Sequence, residues 1–128
     1  MRLFVDDERL PLVAECNLWT IDRRPEAAIL MIVEHAPIIT HISLDNDLQS
    51  PTEGRYILAK IIGTPVDEPI DLPVLEEIRV HSANGPAASA MMAAAIAAKR
   101  CGILRPLVRI TRRSSLDEYY PIDPAPYR

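Results

Sequence analysis

Cysteine is scarce in this chain. Cys16 and Cys101 are the only two, and they lie far apart. That excludes a disulfide framework and predicts a reducing, cytoplasmic setting. No apolar run is long enough to span a bilayer. The longest, from Ala87 to Ala98, is interrupted by Ser89 and falls short of the ~20 residues a membrane helix needs. Asp6 and Asp7 come too early for a secretory apolar region to fit ahead of them. Positive charge is not in excess either: the formal net charge is -4, which argues against a dedicated nucleic-acid surface. There is no internal repeat and no compositional break that would mark a second domain.

What remains is an ordinary soluble composition, 48% hydrophobic and 25% charged, in 128 residues, enough to bury a real core as one domain. The charge is uneven. From Lys99 onward there are seven basic and three acidic residues; the preceding part holds seven basic and fifteen acidic. An acidic body with a basic C-terminal segment can still touch an anion locally.

The apolar pattern predicts strands at Arg2 to Val5, Leu18 to Ile21, Ile38 to Leu44, around Ile78 to Val80, and Leu107 to Ile110. The third is nearly continuously apolar, with His41 and Ser43 inside it, which predicts burial on both faces. A helix is predicted from Pro25, a first-turn proline followed by Glu26, to near His35, before Pro37. Its residues Ala27 to Val33 are apolar nearly all round, so it is expected to be well covered. After a polar loop from Gln49 to Gly54, a second helix carries Tyr56, Ile57, Ala59, Ile61 and Ile62, with Gly63 as its C-terminal cap. The clearest helix follows Asn84, a good N-cap, with Pro86 in its first turn, alanine and methionine inside, Lys99 and Arg100 in its last turn and Gly102 beyond. Met91 and Met92 are expected to pack in the core. Strands alternating with helices argue an α/β parallel sheet covered by helices, except that the first connection lacks a full crossover helix. A domain over residues 1–111 is expected, followed by an extended, proline-containing tail over 112–128.

Three strands end in polar, acid-rich or turn-forming residues: Asp6-Asp7, Asp45-Asn46-Asp47 and His81-Ser82-Ala83-Asn84-Gly85. In an open parallel sheet such ends lie side by side, and ligands bind outside them. Clustered carboxylates repel unless a hard cation such as Mg²⁺ offsets them, so Asp6, Asp7 and Asp45 are the expected ligands of Mg²⁺ or another divalent cation. The plainer reading is that Asp6 and Asp7 cap a turn or pair with Arg9. The helix start after Asn84 offers free N–H groups, which with the Ser82 hydroxyl and Gly85 make an anion site; simple capping is the alternative. His81 can move a proton to or from a bound phosphate, or simply be hydrogen-bonded structure. His35 and His41 are expected to be structural, and Arg109, Arg112 and Arg113 to form a solvated face, the alternative being that they steer a nucleotide or nucleic acid.

At these residues the chain resembles the cyclic-phosphate processing receiver-like domain family. The resemblance rests on Leu3-Phe4-Val5-Asp6-Asp7-Glu8-Arg9, Trp19, Ile42-Ser43-Leu44-Asp45-Asn46-Asp47-Leu48, Gly54, and His81-Ser82-Ala83-Asn84 with Met92, and spans about residues 1–100. It implies a single-domain, flavodoxin-like variant of the response-regulator receiver, with a five-stranded sheet in order 2-1-3-4-5. It also implies action on cyclic phosphates of nucleotides or RNA ends. By position, Asp6 and Asp7 match the receiver's acidic pair, Asp45 its phosphorylated aspartate, and Ser82-Ala83 its small hydroxyl pair. Three departures stand out. Asn46 occupies the place of a histidine, Gly85-Pro86 follows Asn84 where the family often has proline and then a small residue, and Thr111 and Arg112 stand where a phosphorelay receiver needs a lysine.

The reading that follows is a metal-dependent phosphoesterase for a phosphorylated small molecule, nucleotide or RNA end, with no membrane partner. Asp47 and His81 are its expected general base and acid; Asp45 as covalent nucleophile is less favoured. Two alternatives remain: a non-catalytic nucleotide- or protein-binding module of receiver fold, phage-encoded in one version, and an aspartyl-phosphate switch acting through Asp45. Substrate, metal identity and oligomeric state are not legible.

Overall fold

The computed structural model describes residues 1–7, 9–11, 18–46, 53–81, 85–113 and 120–121. Asp47, Ser82 and Asn84 lie outside this set, as does most of the tail. The elements in chain order are β1 (Arg2–Val5), β2 (Arg9–Leu10), β3 (Thr20–Asp22), α1 (Pro25–His35), β4 (His41–Leu44), α2 (Gly54–Ile62), β5 (Glu77–Val80), α3 (Gly85–Arg100), β6 (Arg109–Arg112) and β7 (Tyr120–Pro121). Five strands form one parallel sheet in the order β3-β1-β4-β5-β6. Counting only these five, that is the expected 2-1-3-4-5. None of the described helices is long and apolar enough to cross a membrane.

The expected boundaries shift by a few residues, each for a local reason. Leu18 is 55% exposed, and pairing with β1 begins only at Thr20. Ile38 and Ile39 donate their N–H groups to the His35 carbonyl, closing a turn behind α1, so β4 starts at His41. At the last strand, Val108 turns back onto the Arg105 carbonyl and Leu107 is 87% exposed, so β6 runs from Arg109 to Arg112. α2 begins at Gly54, where a loop was expected. Part of the expected tail is paired: Tyr120–Pro121 lies antiparallel to Arg9–Leu10. Other details are as expected. Gly63 adopts φ +82 with extended ψ, a backbone that side-chain-bearing residues avoid, and returns its N–H to the Ala59 carbonyl.

Register sorts the sheet into two chemically different faces. Leu3, Ile42, Ile78 and Ile110 lie in one row across β1, β4, β5 and β6, and Val5, Leu44 and Val80 in another. These rows face the three helices, whose Ala28, Ile32, Ile57, Leu58, Ile61, Ala88, Met91 and Ala95 complete the main core. Small side chains on α3 let it sit close to β5 and β6. α1 departs from expectation. It is covered on one side only, against the sheet and α2, so Leu30 and Val33 remain more than half exposed.

The alternate positions form the opposite face. One row there is Phe4, Ser43, Arg79 and Thr111; the next is Arg2, His41, Glu77 and Arg109. Trp19 lies edge-on to Phe4 and carries the guanidiniums of Arg2 and Arg79 within 5.9 Å of its ring. Glu77 accepts a hydrogen bond from the Thr111 hydroxyl, with Arg79 Nε at 3.4 Å and Arg109 Nη2 at 3.5 Å. Burial by itself would raise the Glu77 carboxyl, but the Thr111 hydroxyl and the two arginines outweigh it and hold the group below its ordinary 4.5.

A carboxyl lowered by folding stabilises the native state fully above its unfolded value, and that contribution is lost as pH falls through the folded value. Glu77→Gln is therefore expected to cost about 1–3 kcal/mol near neutral pH and to flatten the decline of stability on acidification. Thermal melts from neutral to acid pH test this, and an unchanged acid limb would remove Glu77 as its source.

Candidate metal centre

The sheet's ladders continue one residue past three strands. Asp6 N–H bonds the Asp22 carbonyl at 3.1 Å, Asp45 N–H the Val5 carbonyl at 3.0 Å, and His81 N–H the Leu44 carbonyl at 2.9 Å. By strand alternation all three side chains belong to the same face as Phe4, Ser43 and Arg79. Three sequence-distant residues thus stand side by side at the carboxyl edge, because parallel pairing puts like ends together.

Asp6, Asp7 and Asp45 converge: one oxygen from each lies within 4.8 Å of the others. Asp6 is fully buried, Asp45 nearly so, and Asp7 half-buried. At that separation a pair of carboxylates repels by ~3 kcal/mol for the effective dielectric of a protein. An all-oxygen donor set of this charge fits a hard divalent cation that retains several waters. The residues present therefore could hold Mg²⁺, as receiver domains bind it, and they are the three carboxylates grouped from the strand ends.

Behind Asp6 sits His81, its side chain wholly buried. Its Nε2 lies 3.0 Å from Asp6 Oδ2, and its Nδ1 lies 2.7 Å from Ser43 Oγ. The ring stacks on Phe4 at 4.4 Å between centroids and 9° between planes. His41, by contrast, lies at the other end of the sheet. Its Nδ1 is 2.8 Å from the Thr40 hydroxyl, and burial, with the charge of Arg2 added, lowers its basicity. It lies away from the acidic cluster.

Asn46 also has a structural task. It is 2% exposed, and it donates from Nδ2 to Glu53 Oε2 at 3.3 Å while its Oδ1 accepts the Arg55 backbone N–H at 3.3 Å. Its carbonyl accepts the Gly54 N–H at 3.0 Å. Asn46 thus caps the first turn of α2 from a distance and ties that helix to the end of β4. Gly54 permits the approach: a Cβ there would lie 1.9 Å from the Asp45 carbonyl oxygen.

On the far side of the edge, α3 starts at Gly85, four residues beyond His81. Arg112, at the end of β6, brings Nη2 to 3.9 Å from where a Gly85 side-chain carbon would sit. A guanidinium therefore stands beside the helix start. From the sequence, Arg112 belonged to a solvated face, with the steering of a nucleotide or nucleic acid as the alternative, and stood where a phosphorelay receiver needs a lysine. Ser43 had been marked only as a polar residue in a buried strand, and nothing in the linear order links it to His81.

Comparison with curated proteins and with solved structures gave no match. A family comparison did. The model of the cyclic-phosphate processing receiver domain matches residues 1–97, the stretch that holds Asp6, Asp7, Asp45, His81 and four of the five sheet strands, and the chain belongs to that family.

Proposed function

We propose that this domain is a divalent-cation-dependent phosphoesterase acting on cyclic or terminal phosphates of nucleotides or RNA. The observation that carries the reading is the trio of carboxylates within 4.8 Å of one another, at a sheet edge shared with the start of α3. The family's name contributes the cyclic phosphate.

A divalent cation held by Asp6, Asp7 and Asp45 supplies Lewis-acid polarisation of a phosphoryl oxygen and a more acidic water. The chain's own residues do the rest. In this reading the Ser82 hydroxyl, Asn84 and the Gly85 backbone N–H receive phosphate oxygens. Arg112 adds a fixed positive charge at the same place. Asp47 is the general base of this reading. His81, with each ring nitrogen within hydrogen-bonding distance of a side chain, holds a proton at Nε2 against Asp6; it is favoured as a holder of that ligand over a direct donor to substrate. A phosphorelay role for Asp45 is disfavoured: Thr111 is engaged by Glu77, and no lysine stands at the end of β6.

Incubation with a panel of nucleoside cyclic phosphates and Mg²⁺ or Mn²⁺ tests the proposal, the expected result being cation-dependent ring opening or phosphate release. Saturable binding without turnover would replace it by the non-catalytic module. Arg112→Ala is expected to weaken phosphate binding about tenfold and to leave kcat nearly unchanged, because the guanidinium acts on charge already present in the ground state. A fall in kcat at constant KM would assign Arg112 to the chemical step instead.

A further inference from the structure

The buried chain of contacts Asp6–His81–Ser43 crosses three strands and ends on a residue to which no role attaches so far. Asp6 comes from the end of β1, His81 from the end of β5, and Ser43 from the middle of β4, between them. Ser43 and His81 have almost no exposed surface, 0% and 1%. A serine inside a parallel strand buried on both faces costs stability unless its hydroxyl is bonded, so the position calls for a reason. The 2.7 Å contact with His81 Nδ1 provides one.

The geometry points to Ser43 as a positioning residue of the cation site, acting on Asp6 through His81. A carboxylate accepts, so the Asp6 contact requires the hydrogen on Nε2. In the neutral imidazole Nδ1 is then an acceptor, and the Ser43 hydroxyl is the donor that satisfies it. Phe4, stacked flat on the ring, leaves it one plane in which to make both bonds. The ring orientation is therefore set from behind by Ser43, and the Nε2–H in turn sets the plane of the Asp6 carboxylate. Ligands of a cation are commonly oriented by such outer partners, whose removal costs about 10- to 100-fold in affinity. Ser43 stands one bond farther out than His81, so the lower end of that range applies.

This inference rests on the cation-binding part of the proposed function and not on turnover. The test uses the whole chain with Mg²⁺ and Mn²⁺ as probes, read by calorimetry, together with imidazole ¹⁵N spectra of the metal-free protein. Wild type is expected to show His81 as the Nε2–H tautomer. Ser43→Ala is expected to change that spectrum and to weaken cation binding about tenfold, while Ser43→Thr, which keeps the hydroxyl, restores most of the affinity. A residue that served only packing would lower the melting temperature without moving the imidazole spectrum or the affinity. Equal affinities in wild type and Ser43→Ala, or an Nδ1–H tautomer in wild type, would overturn the role of Ser43 and leave the cation site standing. Failure of wild type to bind either cation would overturn both.

Discussion

Gly54→Ala is expected to lower stability by about 3 kcal/mol or more, the upper range of overpacking and a large share of a typical domain's 5–15 kcal/mol. The added Cβ would lie 1.9 Å from the Asp45 carbonyl oxygen, 2.8 Å from its carbonyl carbon and 3.0 Å from Asn46 Cα. All three are backbone atoms, so no side chain can swing aside. Either α2 moves off the sheet, giving up contacts of Ile57, Leu58 and Ile61 in the main core, or the chain after β4 moves. The second course displaces Asp45 and breaks the Asn46 cap of α2, so cation affinity should fall together with stability. Gly85→Ala is the internal control. Its nearest neighbour would be Arg112 Nη2 at an ordinary 3.9 Å, and alanine suits a helix better than glycine. Denaturant or thermal unfolding of both variants decides the matter. A Gly54→Ala protein that unfolds within a degree or two of wild type would show that the close approach of α2 to the strand end is not required.

The second large effect concerns Asp45→Asn. Without added cation this variant is expected to be as stable as wild type or more so, because one of three converging charges is gone while the shape is kept. With cation the order should reverse. A ligand at 100 times its Kd stabilises the native state by about 2.7 kcal/mol, on the order of 10 °C in Tm for a chain of this size. Wild type should show that rise on saturation with Mg²⁺, and Asp45→Asn should show almost none. Thermal scans across a Mg²⁺ series, at fixed ionic strength to separate binding from screening, give the answer. Equal shifts in the two proteins would remove Asp45 from the site, and with it the reading of the three strand ends as one centre.

Much of this was written in the linear order of residues. The alternation of strands and helices declares a parallel α/β sheet, and a parallel sheet obliges its strand ends to share one edge. Asp6, Asp7 and Asp45 could therefore be grouped without coordinates. Helix signals were equally local: Pro25 and Glu26 begin α1, and Gly63 ends α2. Local signals determine such things because a cap or a breaker acts through its own backbone neighbours.

Pairwise registry was beyond the sequence's reach. Strand alternation says that Ser43 and Leu44 face opposite ways, but not that Ser43 stands opposite Phe4 on one side and Arg79 on the other, with His81 above. The same holds for Asn46. Its place between two aspartates invited comparison with a catalytic histidine, whereas tertiary packing spends its amide on Glu53 and on the N–H of Arg55. Gly54 looked like part of a loop, and the 1.9 Å approach to Asp45 that demands a glycine exists only once α2 is docked on the sheet. Arg112 likewise reaches the start of α3 only because β6 pairs beside β5. The sequence determined which groups arrive at the carboxyl edge, through local propensity and the polarity of a parallel sheet. Tertiary structure alone decided which of them touch, because a contact between distant residues depends on register and docking, and these are properties of pairs of elements.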